Sequence, residues 1–282
     1  MTTRSGNERH QFARYMSSPS SSFTELLAEH HPDALPWSRA SGSMASNETP
    51  HGTTIVALRF ADGVIMAGDR QVTSGTRISY RYGEKVYTAD NSSCIGVAGV
   101  AGLAFEMARL FQVELLHYEK IEGVQLSLKG KANKLAGMIR NNLEMAMQGL
   151  VAVPIYAGYD ADSGVGQIFS YDAVGGMSEE HVGYHSIGSG SFFALGSLKK
   201  LYDASLGEQD AVTVALEALY DAAEDDTATM GPDLAREIYP VVHVVTAEGD
   251  RTLSDAETGA IARRIVERRQ SEPNGPRATV GP

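Results

Sequence analysis

The sequence predicts an α+β domain built from strand hairpins and several helices. An apolar run over residues 54–60 reaches the turn Ala61-Asp62-Gly63 and is followed by a second apolar run over residues 64–68. Two apolar runs joined by Asp-Gly are typical of a β-hairpin. A similar pair of runs covers residues 151–160 and 167–172. Because two helical segments lie between these hairpins, we expect helices and sheets to form separate layers.

The other elements follow from the spacing of apolar residues and from the turn residues between them. Lys85 lies in the strand-like stretch of residues 82–87, and Gly99 stands just before the first helical segment. Near-continuous apolar character over residues 54–60 indicates a strand covered on both faces. The remaining elements are predicted as helices over residues 100–119, 129–148, 191–202, 210–223 and 254–269, with a buried strand over residues 238–246.

Composition excludes several classes of protein. The chain has 282 residues, 43% of them hydrophobic, which suits one large domain or two small ones. A net charge of −11 argues against a nucleic-acid-binding protein. The single cysteine, Cys94, cannot form an internal disulfide, and its apolar surroundings favour a buried strand residue over a catalytic thiol. No apolar stretch predicts a membrane span or a secretory signal, so we expect a cytoplasmic protein.

Residues 1–52 differ in composition from the rest of the chain. Serine-rich runs cover residues 17–22 and 41–47, and residues 23–30 between them have the pattern of a short helix. Two interpretations remain open: a disordered tail, or a removable propeptide that carries one docking helix.

The stretch His51-Gly52-Thr53-Thr54 is the first candidate for chemistry. Thr53 could simply be the first residue of the strand that follows. Cleavage before Thr53, however, would place a free α-amine beside the hydroxyl of the same residue, so that nucleophile and base belong together. While Gly52 acylates Thr53, that amine does not exist. Since glycine leaves its carbonyl sterically open to the Thr53 hydroxyl, we expect intramolecular cleavage of the Gly52–Thr53 bond.

A carboxylate and an ammonium group follow within about thirty-five residues of Thr53. Asp69 could be a solvated strand end beside Arg70, and Lys85 could be an ordinary surface charge. Together with Thr53 they suggest a catalytic set. A free α-amine has a pKa of about 7.7–8.0, and a neighbouring ammonium favours its neutral, proton-accepting form. Asp69 would hold Lys85 in place.

Other polar motifs do not define a cofactor site. Gly188-Ser189-Gly190-Ser191 precedes a helix but lacks both the P-loop and the Gly-x-Ser-x-Gly patterns, and its serines could equally cap that helix. Glu224-Asp225-Asp226 suits either a divalent cation or a charged helix end. The eight histidines show no HExxH motif, and apart from His181 and His185 in a loop-like stretch they form no close ligand pair. We therefore predict no metal ion and no cofactor.

The order and spacing of Thr53, Asp69, Lys85 and the Gly96–Gly99 stretch resemble proteasome β subunits of the actinobacterial type. The resemblance covers roughly residues 52–269. It implies a four-layer αββα sandwich of the N-terminal-nucleophile hydrolase type. It also implies three regions, which are a propeptide over residues 1–52, a peptidase domain over residues 53–270 and a flexible tail over residues 271–282.

The same resemblance assigns roles to individual residues. Thr53 is expected to be the nucleophile, with Asp69 and Lys85 as its partners, and the Gly99 N–H is expected to stabilise the oxyanion. Further site residues implied near the Thr53 amine are Ser189, Asp226 and Thr229. The substrate pocket is expected to be lined by Val72, Thr73, Val97, Ala101 and Phe105, whose apolar members suggest a hydrophobic preference.

Two residues depart from the family pattern. Gln71 stands where the family often has arginine, and Met230 stands where glycine is common, with Gly231 one place later. Thr229 stands where serine is common, and its hydroxyl keeps the same hydrogen-bonding capacity.

The resemblance also implies partners. Seven-membered β rings would stack back to back between rings of α subunits, and a ring-shaped AAA ATPase would thread in polypeptides that often carry a ubiquitin-like protein tag. ATP would bind that partner, because this chain has no Walker motif. Alternatives are the simpler HslV-type peptidase, a non-catalytic ring subunit, and a globular protein with an accidental series of motifs. The long propeptide and the retained residues of the site favour the catalytic β subunit.

Overall fold

The computed structural model describes residues 50–277, all within one compact unit, Asn47–Pro282. The helix expected over residues 23–30 lies outside the described residues. The strands are β1 Pro50–His51, β2 Thr54–Phe60, β3 Gly63–Gly68, β4 Val72–Ser74, β5 Arg77–Tyr80, β6 Val86–Asp90, β7 Ser93–Gly99, β8 Ala152–Asp160, β9 Val165–Tyr171, β10 Met177–Glu179, β11 Tyr184–Gly188, β12 Val241–Thr246 and β13 Gly249–Thr252. The helices are α1 Ala101–Glu122, α2 Leu128–Asn141, α3 Leu143–Met147, α4 Ser191–Leu201, α5 Glu208–Asp225 and α6 Asp255–Ser271.

Two antiparallel sheets form the centre of the described domain. One has the strand order β11-β2-β3-β12-β13 and the other the order β10-β9-β8-β7-β6. A small third sheet has the order β1-β4-β5, in which His51 pairs with Thr73. The chain immediately before Thr53 is therefore held as a strand against β4.

Alternating side chains sort the core into three apolar layers. On β2, Ile55 and Ala57 pack between the two sheets, whereas Val56 and Leu58 pack against α4, α5 and α6. On the other sheet, Ile95 and other buried side chains of that sheet pack against α1 and α2. This alternation follows from the two-residue period of a strand. The resulting order of helix, sheet, sheet and helix confirms the four-layer αββα sandwich.

The β2–β3 hairpin forms where the Asp-Gly signal predicts it. Its strands pair from Ile55 opposite Gly68 to Phe60 opposite Gly63. Both strands are almost wholly buried, as their apolar character predicts. The pairing places the start of β2 beside the end of β3, where Thr54 O accepts a hydrogen bond from Asp69 N at 3.1 Å.

Three element boundaries differ from expectation. The helix predicted over residues 129–148 is interrupted at Asn142, which ends α2 and precedes the short α3. The strand predicted over residues 238–246 begins only at Val241, since Pro240 cannot donate to the ladder. The helix predicted over residues 254–269 ends at Ser271, and the Arg269 guanidinium donates to Pro273 O at 3.3 Å just after it.

None of the helices within residues 50–277 is long and apolar enough to cross a membrane.

Replacing Phe111 with alanine tests the helix–sheet layer. Phe111 is fully buried and meets the Tyr156 ring edge-on, with 5.5 Å between ring centroids. We expect Phe111→Ala to lower the free energy of unfolding by about 3–5 kcal/mol. The matched control is Phe192→Ala, because Phe192 is 84% exposed and its loss should cost less than about 0.5 kcal/mol. Urea denaturation of the unassembled chain measures both, and equal losses would contradict the assigned layer.

Candidate active site

The peptide bond between Gly52 and Thr53 lies at the centre of the site. Thr53 is 6% exposed and precedes β2 directly. Its hydroxyl donates to the Gly52 carbonyl oxygen at 2.6 Å. Lys85 Nζ donates to the same oxygen at 2.7 Å. Two donors therefore bind the carbonyl oxygen of the peptide bond that the sequence predicts to be cleaved.

Asp69 holds this arrangement from the end of β3. Its Oδ1 accepts from Lys85 Nζ at 2.6 Å and from the Thr54 N–H at 2.8 Å. Its Oδ2 accepts from the Gln71 N–H at 2.9 Å and from the Met230 N–H at 3.2 Å. Asp69 is 1% exposed, so these four donors replace the water that a free carboxylate would bind.

Burial shapes the acid–base behaviour of Lys85. Removal from water lowers the pKa of Lys85, while the carboxylates of Asp69 and, more weakly, Asp226 oppose that change. The net direction is downward, so Lys85 gives up its proton more readily than an exposed lysine. A lysine of this kind can both donate to a carbonyl and take part in proton transfer.

A second group of polar residues lies near Thr53, just before α4 and just after α5. The Ser189 N–H donates to Thr53 O at 2.9 Å, and the Ser189 hydroxyl donates to Asp226 Oδ2 at 2.6 Å. The Thr229 hydroxyl donates to the same Asp226 oxygen at 2.6 Å. The structure thus brings all three of these expected site residues together beside Thr53.

The two departures from the family pattern are accommodated by specific contacts. Gln71 is buried, and its side-chain amide donates to Thr227 O at 2.9 Å, which ties the loop after α5 to the turn after β3. Met230 contributes its backbone N–H to Asp69 rather than its side chain. Both positions therefore support the Asp69 carboxylate despite the changed residue types.

Gly99 ends β7 and borders the same pocket as Thr53. Its φ is +123°, and a Cβ atom there would lie 2.1 Å from Val151 O, so only glycine fits. The pocket is lined by Gly52, Thr53, Val72, Glu84, Lys85, Tyr87, Val97, Gly99, Ala101 and Ala104. The expected oxyanion donor thus borders the same pocket as the Gly52–Thr53 peptide bond.

The expected substrate residues divide into two groups. Val72, Val97 and Ala101 line the pocket. Phe105 is 55% exposed and packs edge-on against Tyr87 instead, and Thr73 lies behind Gly52, where a Cβ on that glycine would be 2.6 Å from Thr73 Oγ1.

Sequence reasoning missed three pocket residues, Glu84, Tyr87 and Ala104. Glu84 and Tyr87 flank Lys85 in the strand-like stretch, so their position next to a candidate residue was the available signal. Tyr87 donates its hydroxyl to Glu84 O at 2.5 Å, and burial raises the pKa of Tyr87 to about 12. The tyrosine therefore stays protonated and gives this side of the pocket a fixed polar edge.

Other candidate groups are placed away from this chemistry. Cys94 is fully buried, and burial raises the pKa of its thiol well above the usual value, so it is a core residue as predicted. Within residues 50–277, no group of three or more histidine, cysteine, aspartate or glutamate side chains could hold a metal ion.

The sandwich with a threonine at the head of its first long strand is the fold of N-terminal-nucleophile hydrolases. The family model that matches the chain, over residues 49–233, is described as "Proteasome subunit". The chain therefore belongs to the proteasome subunit family.

Curated relatives support the same assignment. The chain is 54% identical over 269 residues to "Proteasome subunit beta" of Streptomyces griseus, a match that covers 95% of each chain. It is 52% identical over 263 residues to the proteins of that name from Parafrankia sp. and Frankia casuarinae, covering 93% of this chain and 96% of each relative. The resemblance to actinobacterial β subunits is thus confirmed over most of the sequence.

Replacing Asp69 and replacing Lys85, the two partners of the buried ion pair, should lower the free energy of unfolding by unequal amounts. Asp69→Ala leaves three N–H groups without an acceptor and the buried Lys85 ammonium without a counter-charge, with only the Gly52 carbonyl oxygen as its acceptor, so we expect a loss of about 3–5 kcal/mol of unfolding free energy. Lys85→Met leaves a carboxylate that still accepts three N–H groups, and should cost less. The double variant should cost less than the sum of the single ones.

Denaturant unfolding of the four proteins measures this cycle. The matched control is the exposed pair Lys134–Glu114, with side chains 44% and 43% exposed, whose removal should change stability by less than about 1 kcal/mol. Additive losses at Asp69 and Lys85 would contradict the description of the pair as one buried unit.

Proposed function

We propose that the chain is the catalytic β subunit of a 20S proteasome core, a threonine-type endopeptidase made as an inactive precursor. The observation that supports this most strongly is the convergence of the Thr53 hydroxyl and Lys85 Nζ on the Gly52 carbonyl oxygen. Residues 1–52 are then a propeptide, residues 53–270 the peptidase domain and residues 271–282 a flexible tail.

Self-cleavage begins with attack of the Thr53 hydroxyl oxygen on the Gly52 carbonyl carbon. Donation from Lys85 Nζ withdraws electron density from that carbonyl and stabilises the developing oxyanion. The carbon–nitrogen bond breaks, the hydroxyl proton passes to the leaving amine, and an ester joins Gly52 to Thr53 Oγ1. Water hydrolyses this ester, releasing the propeptide carboxylate and a Thr53 with a free α-amine.

The same groups then act on a substrate peptide. The Thr53 hydroxyl attacks the scissile carbonyl while its own amine takes the proton, directly or through a water molecule. The Gly99 N–H, at the border of the pocket, stabilises the oxyanion. Ser189, Asp226 and Thr229 surround the amine. The scissile carbon–nitrogen bond breaks, the leaving amine takes the proton from the Thr53 ammonium, and an acyl-enzyme ester forms. Water hydrolyses this ester, without a metal ion or a cofactor.

The pocket supports a preference for apolar side chains before the cut. Val72, Val97, Ala101 and Ala104 supply an apolar lining, and Tyr87 and Glu84 close one side. Thr73 supports the backbone of the bound segment from β4, which already pairs with His51. Phe105 contributes through its contact with Tyr87.

The family and the names of the relatives support assembly into a proteasome particle with other subunits. We propose homo-heptameric β rings between rings of α subunits, in the cytoplasm. A ring-shaped AAA ATPase would act through the α ring on unfolded polypeptides or on proteins that carry a ubiquitin-like tag. Nucleic acid and membranes have no part in this function.

Replacing Thr53 with alanine removes both the proposed nucleophile and the group that starts self-cleavage. We expect Thr53→Ala to assemble with the α subunit, to keep its full-length mass and to lose peptide hydrolysis by at least about 10³-fold. The matched control is Thr252→Ala, at the exposed end of β13, which should be processed and active. Intact-mass spectrometry and a fluorogenic peptide assay give both readouts. Hydrolysis that persists in assembled Thr53→Ala would refute the catalytic assignment.

Replacing Gly52 with alanine should block processing without removing the nucleophile. Gly52 has φ +120°, and a Cβ would lie 2.6 Å from Thr73 Oγ1 and 3.0 Å from Ala228 O. The residue before the cut must therefore shift, and with it the carbonyl that Thr53 attacks. We expect assembled Gly52→Ala to accumulate as full-length chain, and a time course of intact mass measures this. Processing at the parental rate would show that the position of this carbonyl is not limiting.

A further inference from the structure

Thr54, the residue after the proposed nucleophile, has a hydroxyl that is fully buried within the site. Its Oγ1 lies 2.5 Å from Thr229 Oγ1 and accepts a hydrogen bond from the Gly190 N–H at 3.0 Å. A Cβ on Gly190 would lie 2.5 Å from this oxygen, so the backbone approaches it as closely as glycine allows. These contacts join the start of β2 to α4 and to the loop after α5.

The direction of each hydrogen bond in this group can be assigned. An ionised carboxylate only accepts, so the Thr229 hydroxyl donates its single proton to Asp226 Oδ2 at 2.6 Å. Thr229 Oγ1 must then accept from Thr54. The chain runs from the Gly190 N–H to the Thr54 hydroxyl, then to the Thr229 hydroxyl and to Asp226. Hydrogen bonds in such a chain strengthen one another.

Thr54 also contacts the other half of the site through its backbone. Its N–H donates to Asp69 Oδ1, the oxygen that also binds Lys85 Nζ. One residue therefore connects the Asp69–Lys85 pair with the Asp226–Thr229 pair.

We infer that Thr54 is a positioning residue of the peptidase, whose buried hydroxyl holds Thr229 and Asp226 in register with the α-amine of Thr53. The inference rests on the proposed function, in which that amine is the base. Thr54 does not touch the reacting atoms. It acts through Thr229, whose hydroxyl donates to Asp226 together with the Ser189 hydroxyl and the Ala228 N–H and so contributes part of the hydrogen bonding that offsets the Asp226 charge.

The sign of the expected pH effect follows from this charge. The titratable groups around the site are Lys85, Asp69, Glu84, Tyr87 and Asp226, of which Tyr87 stays protonated because its pKa is raised to about 12. Without the Thr54 hydroxyl, Thr229 is a weaker donor, and Asp226 keeps more negative charge beside the amine. That charge favours the protonated ammonium and raises the pKa of the amine. Less of the enzyme then carries a free base at a given pH, so the acid limb of the kcat/KM profile moves to higher pH.

Thr54→Val tests the inference in the particle assembled with the α subunit, because valine keeps the shape of threonine and removes its hydroxyl. We expect normal processing to Thr53, a kcat about tenfold lower with unchanged KM, as for one lost buried hydrogen bond, and the shifted acid limb. Thr54→Ser, which retains the hydroxyl, should restore the parental kcat and profile. Thr258→Val, in which a residue of α6 that is 1% exposed loses its hydroxyl, is the matched control and should behave like the parent.

Three results would overturn the inference. The first is parental kcat and pH profile in processed Thr54→Val, and the second is equal loss in Thr54→Val and Thr54→Ser with an unmoved profile. If Thr54→Val does not assemble, Thr54→Ala and Thr54→Ser isolate the hydroxyl again, and equal kinetics in that pair is the third. If a particle assembled with the Thr53→Ala variant still hydrolyses peptides, the proposed function itself is refuted.

Discussion

The buried carboxylate of Asp69 is the constraint on which the rest of the site depends. It accepts hydrogen bonds from Lys85, from the start of β2, from the turn after β3 and from the loop after α5. A carboxylate removed from water without such partners would cost several kcal/mol, so these four segments must come together when the domain folds. Correct folding of the sandwich and assembly of the site are therefore one event.

The chain immediately before Thr53 is held in the site by strand pairing and by contacts to its last carbonyl group. β1 pairs with β4, and Gly52 adopts a positive φ that brings its carbonyl to the Thr53 hydroxyl and to Lys85. In the proposed function, this geometry explains how one set of groups serves both activation and peptide hydrolysis. It also explains why the base is absent until cleavage, since the future amine is still part of the Gly52 amide.

Local signals in the sequence account for much of the fold and for the residues along the first half of the site. The Asp-Gly turn and the near-continuous apolar runs on either side of it predict the first hairpin, whereas the four-layer arrangement came only with the family resemblance. The contacts between Thr54 and Thr229 and between Gln71 and Thr227 join residues 175 and 156 positions apart, which no local pattern reveals. The break at Asn142 was missed because the apolar spacing continues through it. The role of Phe105 as a pocket residue came from the resemblance and stays a prediction; its edge-on contact with Tyr87 is a tertiary contact that no local pattern reveals.

In the proposed function, the hydroxyl of an N-terminal Thr53 is the reacting group of the assembled particle. The most direct measurement is to treat the wild-type particle with a peptide electrophile such as a vinyl sulfone and to locate the adduct by tandem mass spectrometry. If Thr53 is the nucleophile, we expect one adduct, on the Thr53 hydroxyl of a chain that begins at Thr53. An adduct on Ser189 or Lys85, or on a chain that still carries Gly52, would contradict it.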